Sequence, residues 1–312
     1  MKVTVIGAGN VGASCADYLA QRNFLSELIL LDIKENFAEG KAMDLNQTAV
    51  YNHFYTTIKG VTNDYPATAG SDVVVITSGI ARKPGMTREE LIATNAGIVK
   101  EVVLKALSHS PDAFFIIVSN PLDTMTYLAY KTLGIPRNKV FGMGGALDSA
   151  RFKYYLSQAL QKSPSDISAL VVGAHSDTGM IPLIRWATYN GVPVSCYLSE
   201  QEMEDIVQKT KVGGATLTQL LGTSAWYGPG AAVAHVVQSI LCNHHVIIPS
   251  SVYLEGEYGL QDVCIGVPSL ISKNGIDSIK EIDLNEAELQ QMRDVSASLQ
   301  AINSRLFDNP EA

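Results

Sequence analysis

The stretch from Lys2 to Gly12, KVTVIGAGNVG, constrains this chain more than any other. A β-branched apolar run leads directly into Gly7-Ala8-Gly9-Asn10-Val11-Gly12, and a helical pattern, CADYLAQR, follows. Strand, glycine turn and helix in that order open a dinucleotide-binding unit. Gly7 permits the tight turn, Gly9 lets the backbone approach a pyrophosphate, and Gly12 lets the helix pack closely on the strand. The helix N-terminus then aims its N–H groups at the phosphates. A second strand-like run, LILLD, ends at Asp32, about twenty residues past the last glycine, where an acid binds ribose hydroxyls and repels a 2′-phosphate. The pattern points to NAD rather than NADP, with Lys34 the nearby residue that argues the other way. Glycine turns also arise for steric reasons alone, and Asp32 by itself reads as an ordinary strand-end acid. The complete succession makes the ligand reading specific.

A chain of 312 residues suits one large or two medium domains. The net charge of −8 argues against nucleic acid or an anionic membrane as partner, and leaves a small anionic substrate open because a local arginine cluster overrides a distant surface. Cys15, Cys196, Cys242 and Cys264 form no C-x-x-C pair, so neither a metal site nor a disulfide framework is expected. Cys15, in the helix after the glycine turn, reads as a small buried thiol. The apolar runs DVVVITSG and AFFIIVSN have strand length and are too short to cross a bilayer. With a core strand at the very start leaving no room for a targeting peptide, the expectation is a reduced, soluble, cytoplasmic protein.

Strands and helices alternate through the first half, as in a doubly wound parallel sheet. The strand-like runs are VTVIG, ELILLD, YTTIKG, DVVVITSG, AFFIIVSN and KVFGM, with helices starting near Val11, Asn36, Thr87 and Pro121, the last capped by Asn120. Near Gly142-Met143-Gly144-Gly145 the pattern changes. A helix, LDSARFKYYLSQAL, opens the second half, and ISALVVGA, VIIPSSVYL and VCIGVPSLI read as strands without regular alternation. The reading is an α/β chain: an N-terminal Rossmann-type domain over residues 1–144 and a C-terminal mixed α+β substrate domain over 145–312. Met292, Val295, Leu299, Ile302 and Leu306 recur at helical spacing, as expected of core packing or a subunit contact.

Three groups carry chemical potential. The loop IARKPGMTREELIATN follows the carboxyl end of a strand, where ligands bind in open α/β sheets, and holds Arg82, Lys83 and Arg88 among Gly and Pro. Such a segment suits a closing lid, although charge alone describes a solvated basic loop equally well. Asp148 and Arg151, three apart at a helix start, share one face, a spacing that by itself is more often surface electrostatics. His175 follows ISALVVGA directly and is one of few groups able to exchange a proton near neutral pH; His53, His109, His235, His244 and His245 have no comparable setting. Together they fit hydride transfer to a carbonyl. His175 would donate a proton, Asp148 would keep it protonated, and Arg151, Arg88 and Arg82 would hold an acidic substrate.

VIGAGNVG, LLDIKE, ARKPGMTREEL, VSNPLD, LDSARF, VVGAHSD and LGTSAWYGPGA, in this order, resemble the malate and lactate dehydrogenase superfamily over residues 1 to about 306. Within it, the chain is most similar to the lactate-dehydrogenase-like malate dehydrogenases of bacteria. The resemblance implies His175 as proton donor and acceptor oriented by Asp148, Arg151 as clamp on the C1 carboxylate, and Arg88 as the lid arginine that polarises the carbonyl. It implies Asn120 as a contact to substrate oxygen and nicotinamide, and cofactor contacts at Gly7, Ala8, Gly9, Asn10, Val11, Gly12, Asp32, Asn95, Val118 and Ser119. No metal is implied. Members are commonly dimers or tetramers, and this branch is often tetrameric.

Substrate choice in the family turns on the position of Arg82, glutamine in lactate-type and arginine in malate-type enzymes. An unpaired second carboxylate in a closed pocket costs about 3–5 kcal/mol. Two residues depart from the family pattern. Ser176 stands where glycine is usual, a strain of roughly 1 kcal/mol if that position needs positive φ. Ala81 stands where proline is expected, which makes the open lid more flexible. The rival readings are a lactate or broader 2-hydroxyacid dehydrogenase, disfavoured by Arg82; an NAD-using glycosidase, which needs metal ligands; an inert NAD-binding scaffold; and a methyltransferase, in which His175 and the arginine lid have no role.

Overall fold

The structure, a computed structural model, describes residues 1–80 and 86–308, excepting the side chains of Arg88 and Asp308. Ala81, Arg82 and Lys83, and the side chain of Arg88, therefore lie outside the described residues.

In the first half β1 (Lys2–Ile6), β2 (Glu27–Asp32), β3 (Thr57–Thr62), β4 (Val73–Ile76), β5 (Phe114–Ile117) and β6 (Val140–Gly142) fall on the six apolar runs. They are interleaved with α1 (Asn10–Gln21), α2 (Phe37–Gln47), α3 (Ala49–Asn52), α4 (Arg88–His109) and α5 (Leu122–Leu133). All neighbours among these strands pair parallel, in the order β3-β2-β1-β4-β5-β6. Side chains alternate between faces along each strand, and both faces are covered. Val3, Val5, Val73 and Val75 pack with Cys15 and Leu19 of α1, whereas Ile6, Val74, Ile76 and Phe115 pack with Val99 of α4 and Met125 of α5.

The strand order reverses between β1 and β4, which opens a crevice at their carboxyl ends. The glycine turn lies there. Gly7 has φ +105°, and a Cβ at Gly12 would sit 1.8 Å from the Gly7 carbonyl oxygen, so any other residue at 12 would break the turn. Thr77 Oγ1, just past β4, donates to that carbonyl at 2.9 Å, and Ser78 Oγ donates to Ile6 at 2.9 Å.

The second half contains α6 (Gly145–Leu160), β7 (Ile167–Ser168), β8 (Val171–Gly173), β9 (Met180–Pro182), β10 (Thr188–Tyr189) and β11 (Val192–Pro193). It continues through α7 (Glu200–Leu221), α8 (Tyr227–Leu241), β12 (Val246–Glu255), β13 (Gln261–Ser272), β14 (Gly275–Ile279) and α9 (Glu286–Asp308). Here the sheet turns antiparallel: β6 pairs with β12, which pairs with β13, and β13 carries β8 and β14. One sheet thus spans both halves, and it brings β8 toward the crevice.

Two local expectations are corrected. ISALVVGA is not one strand: β7 joins a small sheet with β10 and β11, while β8 joins the main sheet. Ala169 and Leu170 carry the same apolar signal as their neighbours, so only the two sets of pairing partners mark the break. Asn120 is not the cap of α5. Pro121 occupies that position, and the Asn120 carbonyl accepts from Asn95 Nδ2 of α4 at 2.8 Å. The stripe on α9 is core packing. Met292 is fully buried, Val295 and Leu299 pack on one apolar cluster, and Ile302 and Leu306 on the other.

Candidate active site

His175 emerges two residues after β8, where Gly173 has φ +87° and the chain folds back into β9. The turn is closed by hydrogen bonds from Ala174 N to Gly179 O at 3.0 Å and from Gly179 N to Ser176 Oγ at 3.1 Å. Ser176 does not adopt positive φ, so the expected strain is absent and its hydroxyl instead fastens the turn.

α6 supplies the partners. Asp148 lies in its first turn, where the helix dipole favours an anion, and its side chain is only 2% exposed. Asp148 Oδ2 is 2.7 Å from His175 Nδ1, and Oδ1 accepts from Arg151 Nη1 at 3.1 Å. The helical spacing that aligned Asp148 and Arg151 thus serves a buried three-membered network rather than surface electrostatics. Burial by itself lowers the imidazole pKa, and Arg151 does so too. The charge and hydrogen bond of Asp148, with a further push from Asp123, outweigh both and hold it above its ordinary value. With Nδ1 turned to Asp148, Nε2 is the ring nitrogen left to exchange a proton with a ligand. A Cβ at Gly144 would come within 3.0 Å of His175 Cβ and Cγ, so glycine at the start of α6 makes room for the ring.

These groups border a cavity of about 210 Å³ also lined by Val11, Val118, Asn120, Asp177, Thr218 and Ser224. It joins the glycine turn to His175 and Arg151. Among the described residues Arg151 Nε is buried without a hydrogen-bond partner, a donor open to an acceptor on a ligand. The crevice also fits a dinucleotide. Gly9 caps α1 with no side-chain bond, the first turn carries no acid, and a Cβ at Gly9 would meet nothing within 4 Å. Asp32 ends β2 and accepts from Ala8 N at 2.7 Å and Lys34 N at 2.9 Å, so the acid also braces the turn. Lys34 lays its ammonium 4.6 Å over the Phe37 ring.

Other expected residues are placed differently. Asn95 is 2% exposed, and its amide bonds the Ile80 N–H at 2.8 Å, the Ile80 carbonyl at 3.2 Å and the Asn120 carbonyl. It therefore ties the start of the arginine loop to the Asn120 loop. The Ser119 hydroxyl bonds the Ser78 carbonyl and joins the ends of β5 and β4. Asn120 is exposed at the cavity. Arg82 lies outside the described residues, as does the side chain of Arg88. The sequence reading missed Asp123, a buried carboxylate in the first turn of α5 that accepts from the His175 backbone N–H at 2.8 Å. It also gave no role to Thr218 and Ser224, which close the cavity from α7 and the segment beyond.

Fold and site together define an α/β protein whose dinucleotide crevice opens onto a buried imidazole–carboxylate–guanidinium network. Residues 1–142 match the NAD binding domain of lactate/malate dehydrogenases, and residues 145–309 match the alpha/beta C-terminal domain of the same enzymes. The chain belongs to the lactate/malate dehydrogenase family. A malate dehydrogenase of Flavobacterium frigidimaris is 58% identical over 306 residues, 98% of each chain. The structure of a malate dehydrogenase from Salinibacter ruber superposes with a TM-score of 0.94 at 41% identity, covering 99% of both chains. A lactate dehydrogenase from Cryptosporidium parvum, solved with lactic acid and nicotinamide adenine dinucleotide, gives 0.93 at 33% identity, with 99% of this chain and 98% of that one covered.

Proposed function

We propose that this chain is an NAD-dependent malate dehydrogenase that interconverts malate and oxaloacetate, with His175 giving and taking the proton. The observation that carries the role of His175 is the 2.7 Å contact between its Nδ1 and Asp148 at the wall of the cavity shared with Arg151, Asn120 and the glycine turn. The malate dehydrogenases among its relatives, and Arg82 in the sequence, support the substrate.

The glycine turn, the α1 N-terminus and Asp32 would hold NADH, which when bound would supply the hydride for the substrate carbonyl carbon. The protein does the rest. Arg151 has one nitrogen on Asp148 and keeps further donors, the unpartnered Nε included, for the C1 carboxylate of the substrate. Asn120 donates to the reacting oxygen. His175 Nε2 delivers its proton to that oxygen as negative charge develops there, and Asp148 stabilises the imidazolium beforehand and orients it. In malate oxidation the neutral imidazole takes the proton back. Arg88 closing onto the carbonyl and Arg82 pairing the second carboxylate complete the reading.

We also propose the boundary at 144/145 between cofactor and substrate halves, a homotetramer (or a dimer) as the working assembly, and the cytoplasm as its location. Exposed Met43, Val50 and Tyr51 on α2 and α3 support self-association. Among the described residues no helix is long and apolar enough to cross a membrane.

The clamp is tested at Arg151. Arg151→Gln is expected to lower kcat/KM for oxaloacetate by about 10²-fold or more, because it removes a charge-assisted bidentate contact. It also takes from the buried Asp148 one of the two cations on its oxygens, so the melting temperature drops. Arg151→Lys should recover most of the stability but little of the affinity, since an ammonium neutralises Asp148 without the planar fork. An unchanged oxaloacetate KM in Arg151→Gln would remove Arg151 from the binding site.

A further inference from the structure

Asp123 holds the backbone of His175, whose ring is held by Asp148. It lies in the first turn of α5 beside the Asn120 loop and is 5% exposed. Its Oδ2 accepts the His175 backbone N–H at 2.8 Å, and its Oδ1 is bonded by Ser251 Oγ of β12 at 2.7 Å. His175 is thus gripped twice: at the ring by a carboxylate from α6, and at the backbone by one from α5. We propose that Asp123 is a second positioning carboxylate of the reaction, fixing His175 relative to Asn120 and using its negative charge to keep the imidazole protonated. The inference rests on His175 being the proton donor.

A purely structural tie between α5 and the turn after β8 needs only a hydrogen-bond acceptor, which a neutral amide provides. A carboxylate buried this deeply is costly unless it is hydrogen-bonded and paired with a cation, and the cation acting on Asp123 is the His175 imidazolium. The geometry suits the ionised form. A backbone N–H can only donate to Oδ2, the Ser251 hydroxyl is free to donate to Oδ1, and the first turn of a helix favours an anion. Burial, with a smaller push from the nearby Asp148, holds the Asp123 carboxyl above its ordinary value, against the downward pull of these two bonds and of His175.

Among the described residues, the charged groups facing His175 are Asp148 and Arg151 on α6, Asp123 on α5, and Asp177 in its own turn. On β13 behind Asp123 stands the Cys264 thiol, which burial keeps protonated. The side chains that α7, α8 and the segment between them bring to the cavity are uncharged.

The test is kcat/KM for oxaloacetate at saturating NADH across pH, in wild type, Asp123→Asn, Asp123→Glu and His175→Asn. Reduction needs imidazolium, so the wild-type rate falls as pH rises through the His175 pKa. In Asp123→Asn the fall is expected on the order of one pH unit lower, because one favourable charge is gone. Asp123→Glu should return it toward the wild-type position. If thermal melting shows Asp123→Asn unfolded, Asp123→Ser serves as the neutral variant. A folded neutral variant with the wild-type pH midpoint overturns the proposal and leaves Asp123 a structural tie. A wild-type-like midpoint persisting in His175→Asn would instead refute the role of His175, and the proposal with it.

Discussion

His175→Asn is expected to lower turnover in both directions by about 10²–10⁴-fold, the usual contribution of a positioned general acid–base group. Asparagine is short and polar enough to keep a hydrogen bond to Asp148, which retains Arg151 as its cation, so the network loses its titrating member without leaving a bare buried charge. NADH binding, read by its fluorescence on titration, should be retained because the glycine turn and Asp32 lie on other elements. The wild-type pH dependence has a definite sign. With the imidazole pKa raised above its ordinary value, oxaloacetate reduction persists past that value and is lost as pH climbs through the raised pKa. Malate oxidation, which needs the neutral ring, is gained over the same interval. In the variant both limbs vanish from the residual rate. Activity within tenfold of wild type would show that the proton travels elsewhere.

The second large effect concerns substrate choice. Arg82→Gln is expected to cut oxaloacetate reduction and raise pyruvate reduction, moving their kcat/KM ratio by about 10³–10⁴-fold. The reason is symmetrical. Oxaloacetate brings a second carboxylate whose burial without a cation is costly, and an arginine facing the methyl of pyruvate is itself unpaired. Glutamine relieves the second penalty and creates the first. Parallel steady-state kinetics on the two oxoacids check it; unchanged oxaloacetate kinetics would assign selectivity to another residue.

Local patterns revealed the first half well because its signals are local. Six apolar runs become six parallel strands, and the steric demand at Gly12 is visible as a glycine three residues after Gly9. The Asp148–Arg151 pair was legible as a helical face. That His175 joins it was not, since the two acidic contacts of that residue reach across 27 and 52 residues of sequence. The demands of hydride transfer, together with the family motifs, link His175 to Asp148 where spacing does not, and VSNPLD contains Asp123 without pointing to a role for it. Its contact with His175 depends on α5 meeting the turn after β8, a tertiary fact with no local signature. The same holds for Asn95, whose buried amide bonds the Asn120 carbonyl across 25 residues of sequence. Ser176 shows the reverse case. A departure from the family pattern suggested strain, but the turn runs through negative φ there and puts the hydroxyl to use.

The proposed function makes this an NAD-linked enzyme built for a four-carbon oxodicarboxylate. It is tested most directly by following NADH consumption with oxaloacetate and with pyruvate side by side, NADPH replacing NADH as control. A preference for oxaloacetate of about a hundredfold or more in kcat/KM is expected, with weak use of NADPH because Asp32 repels its 2′-phosphate. Equal rates, or pyruvate ahead, would contradict it.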